Sequence, residues 1–169
     1  MSLYPSPRPM QLGMIDSGPE GTAATLRIMV KLAREGRRDP GVMQLARQLV
    51  ATLPQYDRLG EIKALHAFVR DHIRYTNDPK NVELVQTPRA TLEMATGDCD
   101  DKSSLLAALL ESIGRPARFV ALAFKPSSMF SHVMVEVKQG KSWMPLETIR
   151  NVAAGWGPPN VSRRMVIHV

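Results

Sequence analysis

Cysteine occurs once in this chain of 169 residues, at position 99. A lone thiol cannot close an internal disulfide, so nothing in the sequence asks for an oxidising compartment. Aromatic residues make up 5% of the chain, too few for a platform on which bases would stack. No apolar run approaches the roughly 20 residues a membrane helix needs, and the N-terminus lacks the apolar core of a secretory signal. Dense basic tracts are missing too. The net charge is +6, yet Arg37-Arg38 and Arg163-Arg164 are the only adjacent basic pairs, and acidic residues are interspersed. Affinity for a phosphate backbone comes from clustered Lys and Arg releasing counterions, so this excess reads as a solvated surface and nucleic acid is not the expected partner. The expected setting is cytoplasmic, free or incorporated into an assembly made there, without membrane contact.

Hydrophobic residues reach 44%. At this length that supports one globular domain burying about two thirds of the surface its unfolded chain exposes. Positions 1–21 carry Pro5, Pro7, Pro9 and Pro19 with little periodicity. They read as an extended arm that a partner or the domain's own flank would hold, with 22–169 forming the domain. Leu26, Met29, Val30 and Ala33 mark one helical face over 22–34. Asp39 suits an N-cap with Pro40 at the first helical position, and a second amphipathic helix then runs until Pro54. A third spans 57–74, with Ile62, Leu65, Val69 and Ile73 inward. Positions 77–86 are polar and irregular, and Thr87-Pro88 opens a short helix through Met94. After position 114 the apolar period becomes that of strands, expected at 119–124, 132–138, 142–148 and 165–169. Helices followed by a run of adjacent strands predict an α+β fold whose sheet is mainly antiparallel.

One helix start carries chemistry. In Gly97-Asp98-Cys99-Asp100-Asp101, Asp98 suits the N-cap and Asp101 supports it from the third helical position. Leu105, Leu106, Leu109, Leu110 and Ile113 recur at helical spacing until Gly114 and Pro116 stop the helix. A thiol mounted there faces free backbone amides that favour its thiolate, while the three aspartates push its pKa up. The Cys99 N–H is the natural oxyanion donor, with Gln86 and Tyr75 as side-chain alternatives.

A second element of the site follows from the hairpin around Lys138-Gln139-Gly140-Lys141. Symmetric closure pairs Val137 with Ser142, Val135 with Met144 and His132 with Glu147, setting the last pair's Cβ atoms about 4.5–5.5 Å apart. Pro145, opposite Met134, has no N–H to give a ladder. A four-residue loop rather than a two-residue turn makes that pair a non-hydrogen-bonded one, and is the expected geometry. Val133, Val135 and Val137 then fill one face, with His132 and Glu147 on the other. A bulge would shift this pairing.

A thiol at a helix start, an imidazole and an orienting carboxylate are the parts of a cysteine nucleophile system. Each residue also has a plainer reading. A lone cysteine is often a small buried hydrophobe, and a zinc site from Cys99 and His132 lacks further ligands at zinc spacing. His66 and His72 are six apart, which does not put them on one helix face as a metal pair requires, so both read as structural or solvent-facing. Trp143 and Trp156 read as packing residues, Trp143 near the proposed site. No cofactor or metal is expected.

Gly97-Asp98-Cys99-Asp100-Asp101 with its Leu-rich helix, the stretch from Ile113 to Val120, Ser131-His132-Val133, and Trp143-Met144-Pro145-Leu146-Glu147-Thr148 resemble the core of the transglutaminase-like superfamily over roughly 57–150. The resemblance implies a papain-like α+β fold, with the cysteine on a helix packed on an antiparallel sheet and the histidine and acid on neighbouring strands. It implies Cys99 as nucleophile, His132 as general base and acid, and Glu147 as the orienting acid where the family usually has Asp. The family's activities include cross-linking acyl transfer and amide hydrolysis, and some members are inactive scaffolds. The Gly18-Pro19-Glu20-Gly21-Thr22 region and the two helices after it are also similar to small phage-encoded members. The expected function is thiol-dependent acyl transfer on a peptide or protein amide through a Cys99 thioester. The alternative is a catalytically silent component of an assembly such as a phage particle, joined to phage structural proteins through the N-terminal arm.

Overall fold

The computed structural model describes residues 10–12, 18–78 and 83–169. Its elements, in chain order, are β1 (Met10–Leu12), α1 (Pro19–Gly36), α2 (Pro40–Val50), α3 (Arg58–His72), β2 (Arg74–Tyr75), β3 (Glu83–Val85) and α4 (Pro88–Met94). The second half follows with β4 (Thr96–Gly97), α5 (Cys99–Ser112), β5 (Ala117–Phe124), β6 (Phe130–Gln139), β7 (Ser142–Leu146) and β8 (Val161–His168). Three of the helices, α2, α3 and α4, begin where side chains take their free amides: Asp39 accepts from Gly41 and Val42, Asp57 from Gly60, and Thr87 from Ala90. Among the described residues no helix is long and apolar enough to cross a membrane.

The centre of the domain is α5. Every residue from Asp100 to Leu110 is buried, because α1, α2, α3 and α4 surround the helix on one side and β5 and β6 close the other. Leu105, Leu106, Leu109 and Leu110 join Leu26, Met29, Leu32, Ile62, Leu65 and Val69 from the helices and Phe119, Val135 and Val137 from the sheet in one core. Fully burying each such side chain contributes about 1.5–3 kcal/mol. The four-stranded sheet is antiparallel with strand order β7-β6-β5-β8, so the expected α+β architecture holds. Val133, Val135 and Val137 face α5 as expected, and Val120, Leu122 and Met134 form a small cluster on the opposite face.

The hairpin corrects the expected register. Gln139 pairs with Ser142, Val137 with Met144, Glu136 with Pro145 and Val135 with Leu146. Two residues, Gly140 and Lys141, make the turn. Gly140 has φ 58° and Lys141 does not share a positive φ, which suits a type II′ turn with glycine first. Pairs alternate along an antiparallel ladder, and the closing pair of such a turn is hydrogen-bonded. Pro145 therefore still falls in a non-hydrogen-bonded pair, opposite Glu136 rather than Met134. Its carbonyl, on the outer edge of the sheet, accepts from Gly155 N–H at 2.8 Å.

Other expectations shift at their edges. Within the stretch read as irregular, Glu83–Val85 is a strand pairing antiparallel with Met10–Leu12. Most of the expected proline-rich arm, positions 1–9 and 13–17, lies outside the described residues, and its last residues, Pro19 to Gly21, already belong to α1. The final strand begins at Val161, four residues early. Trp143 is not near the proposed site. It pairs with Lys138 at the turn end of the hairpin, six residues along β6 from His132, about 20 Å at strand rise.

Two short parallel strands, β2 and β4, pair Arg74 with Thr96 and Tyr75 with Gly97. They bring the end of α3 to the start of α5. Gly97 has room for nothing larger, since a Cβ there would stand 2.5 Å from Asp101 Cβ. Gly97→Ala is therefore expected to cost about 1–3 kcal/mol, read as a lower urea midpoint with an unchanged slope. An unchanged midpoint would contradict this close packing.

Candidate active site

Cys99 is the first residue of α5, and the cap beneath it is complete. Asp98 Oδ1 accepts from the N–H groups of Asp100 at 2.9 Å and Asp101 at 3.1 Å. Asp101 Oδ2 accepts in return from Asp98 N–H at 3.2 Å, the reciprocal box expected from the sequence. Asp101 Oδ1 also accepts from Gln86 N–H at 2.7 Å, tying the end of β3 under the cysteine turn. Burial and the Asp98 charge raise the Asp101 carboxyl to about 7, against the two amide donors.

The first turn of α5 lies against β6 at Val133. Ser103, one turn after Cys99, donates to Val133 O at 3.3 Å, and the Val133 backbone also contacts the Cys99 sulfur. The sulfur is thus held beside the residue that follows His132. Its own hydrogen bond runs to Asp100 Oδ1 at 3.5 Å. Burial, then the charges of Asp100 and Asp98, push the thiol pKa well up, opposed by the Val133 amide. At neutral pH the resting group is the thiol.

His132 and Glu147 meet as expected, by a different route. His132 Nε2 and Glu147 Oε2 are 2.7 Å apart. Extended one pair beyond Leu146, the observed register sets Met134 opposite Glu147, so the imidazole and the acid are diagonal neighbours rather than directly opposed. A two-residue shift keeps every side chain on its face, and the longer glutamate covers the diagonal. Ser131 is the extra residue of a bulge between the pairs Leu122–His132 and Ala123–Phe130, which re-aims the strand beside the imidazole. The His132 ring lies tilted against Phe124, with centroids 6.4 Å apart.

Glu147 is 1% exposed. Burial alone would raise its pKa, but the bond and charge of His132 and the amides of Ile149 and Arg150 outweigh burial and hold it below the usual value. The Ile149 N–H stands 2.8 Å from Oε1. A carboxylate only accepts, so the neutral imidazole carries its proton on Nε2 and keeps the Nδ1 lone pair for another partner. The structure therefore brings His132 to Glu147 and Cys99 to the neighbouring backbone, and it leaves the thiol bonded to Asp100 rather than to the ring.

Three further side chains sit close by. His66 on α3 is buried and places Nε2 2.5 Å from Glu147 O. Lys102, one turn after Cys99, is 2% exposed and donates to Ile73 O at 2.5 Å and Arg70 O at 3.3 Å, capping the end of α3. Burial lowers its pKa. Tyr75 O–H donates to Asn77 Oδ1 at 2.6 Å. Its pKa is raised by partial burial first and then by the nearby Cys99, Asp98, Asp100 and Asp78 charges. Gln86 uses its side-chain oxygen to accept from Thr91. The sequence left His66 as structural or solvent-facing and gave Lys102 no role. A lysine inside a leucine-rich helical run was the one signal for the latter. Among the described residues, donor atoms of Asp98, Cys99 and Asp100, and of Asp78, Asp98 and Asp101, lie within 4.8 Å of one another. His132 belongs to neither group, and Asp98 and Asp101 are already engaged in the helix cap.

Comparison with known proteins follows the same lines. Residues 44–148 match the family model of the transglutaminase-like superfamily. No curated protein matches the chain. Among solved structures, a candidate protease from Parabacteroides distasonis ATCC 8503 is similar at TM-score 0.59 and 14% identity, over 73% of this chain and 26% of that one. A candidate cysteine protease from Cytophaga hutchinsonii is similar at TM-score 0.52 and 16% identity, over 76% of this chain and 50% of that one. The chain thus matches about a quarter and a half of the lengths of these two proteins, and the likeness is one of fold.

Two measurements, a titration and an alkylation rate, check the electrostatics. The native state holds the extra Asp101 proton between the unfolded carboxyl's pKa of about 4 and the folded value of about 7, so raising pH through this window costs stability. The stability advantage of the wild type over Asp101→Asn should shrink from pH 4.5 to pH 7.5 in urea titrations, and parallel midpoints would contradict it. Asp100→Asn removes a charge and a hydrogen bond that disfavour the thiolate. Iodoacetamide should then modify Cys99 at pH 7.5 faster, on the order of several-fold, whereas an equal rate would separate the thiol from that carboxylate.

Proposed function

The chain belongs to the transglutaminase-like superfamily, and from that premise we propose that it catalyses thiol-dependent acyl transfer on a peptide or protein amide. The observation that carries the reading is the His132 Nε2 to Glu147 Oε2 bond, which leaves Nδ1 as the base beside the strand that touches Cys99. The relatives in the comparison named as a candidate protease and a candidate cysteine protease agree with this class of chemistry.

In this reading the Cys99 sulfur attacks the amide carbonyl carbon while His132 Nδ1 takes the thiol proton, and the carbonyl π electrons move to oxygen. Because the resting thiol is protonated, deprotonation accompanies attack and no standing thiolate–imidazolium pair is needed. The oxyanion is met by the Cys99 N–H, one of the unpaired first amides of α5 and not one of the two that Asp98 holds. Collapse breaks the C–N bond, and the amine leaves with the proton from Nδ1. Water or an amine then attacks the Cys99 thioester, again losing its proton to His132, and the acyl product leaves as the thiol reforms. Glu147 fixes the imidazole tautomer and stabilises the imidazolium of each step.

A second reading keeps the fold and drops the chemistry. The thiol bonded to Asp100, the crowding carboxylates and glutamate in place of the family's usual aspartate support a non-catalytic component of an assembly such as a phage particle, joined to its structural proteins through the proline-rich arm. Carboxamide peptides offered with hydroxylamine separate the two. The catalytic reading expects hydroxamate and, by intact mass, an acyl adduct on Cys99. Cys99→Ala should abolish both, and His132→Ala should slow turnover by about 10²-fold or more, with Glu147→Gln between that variant and the wild type. A wild type that never acquires the acyl mass, or matches His132→Ala, favours the silent component.

A further inference from the structure

β7 ends at Leu146, so the backbone of Glu147 leaves the ladder where its side chain must be aimed. Its carbonyl is taken instead by His66, 81 residues earlier in the chain, at 2.5 Å in a buried setting. A carbonyl can only accept, so the ring proton must sit on Nε2. Burial lowers the His66 pKa, which keeps the ring neutral and able to donate at neutral pH. One turn further along α3, Arg70 Nη1 donates to Val152 O at 2.8 Å. The helix thus grips the turn that follows β7 near both of its ends. The end of α3 is held in turn by Lys102 of α5, through the carbonyls of Arg70 and Ile73. A continuous set of side-chain to backbone bonds therefore links the cysteine helix to the acid. The Glu147 carboxylate, by contrast, is bonded among the described residues to His132 and to amides of its own turn.

We propose that His66 is a positioning residue for the His132–Glu147 pair, fixing the acid's backbone from α3 so that its carboxylate stands at the imidazole. The inference rests on the catalytic reading only for its effect on rate. Its geometric content stands without it. A glutamate has one more rotatable bond than an aspartate, and a displacement of about 1 Å in such a site can cost on the order of 10²-fold in rate. Fixing the backbone removes the freedom that the extra methylene adds.

The test uses the full chain with ¹⁵N-labelled histidine. In the wild type at pH 7, long-range ¹H–¹⁵N spectra should show His66 as the neutral Nε2–H tautomer, with a slowly exchanging His132 Nε2–H proton bonded to Glu147. His66→Leu should lose the slow His132 proton while melting cooperatively, and should lower hydroxamate release by about tenfold or more. His66→Gln, whose amide can donate to the same carbonyl, should keep the proton and stay within about threefold of the wild type. A His66→Leu protein that retains the slow His132 proton overturns the proposal. If that variant fails to fold, the wild-type spectrum decides alone: a protonated or Nδ1–H ring at His66 overturns it. An inert Cys99 in a protein whose His132 proton still depends on His66 defeats the catalytic reading and leaves the positioning role standing.

Discussion

The Asp98 carboxylate holds the first turn of α5, and the site is arranged around that turn. It accepts from two free amides and receives the answering bond of Asp101. An N-cap of this kind is worth about 1 kcal/mol by itself, but here it also fixes the direction of a helix buried from Asp100 to Leu110. A helix closed in on all sides can neither roll nor slide without opening the core, so the position of Cys99 is set by the whole domain. Ser103 against Val133 O and the contact of the sulfur with the same residue then place the thiol along β6.

The same turn concentrates negative charge. Capping calls for carboxylates at a helix start, whereas a reactive thiol calls for their absence. Asp98 and Asp101 serve the cap, and Asp100 bonds to the sulfur. The outcome is a thiol whose ionisation is disfavoured in the resting state, held at the backbone of Val133, the residue that follows an imidazole whose Nε2 is already committed to Glu147. In the proposed reaction the base takes the proton during attack, which makes the alignment of His132 more demanding than in a site with a preformed thiolate. Glu147, with its carboxylate bonded within its own turn and its carbonyl held by His66, is fixed accordingly.

Local chemistry was legible in the sequence, and long-range chemistry only in part. The capping box at Asp98 and Asp101 could be read because it needs only residues three apart. The antiparallel sheet followed from alternation, and the meeting of His132 with Glu147 was expected on a register that proved wrong by two residues. That error was harmless to the pair, since a shift of two preserves faces and a glutamate reaches diagonally. Trp143 was misplaced because the observed register sets it opposite Lys138, two residues further along β6 from His132 than the expected one. The role of His66 was not legible, and that of Lys102 was marked only by a lysine standing in a leucine-rich helical run. Their partners are backbone carbonyls 81 and 29 residues away, and no residue pattern marks which carbonyl a fold will leave without a ladder partner. The pairing of Met10–Leu12 with Glu83–Val85 was hidden for a similar reason, as two three-residue strands carry no period.

The central claim is that the nucleophile and the acid-held imidazole belong to one site. Its most direct measurement is a crystal structure of the full chain with Cys99 carrying a peptidyl acyl mimic. The account predicts His132 Nδ1 within about 4 Å of the Cys99 sulfur, with Nε2 still on Glu147. An acylated Cys99 with His132 Nδ1 well outside hydrogen-bond reach of the sulfur, about 6 Å or more, would contradict it.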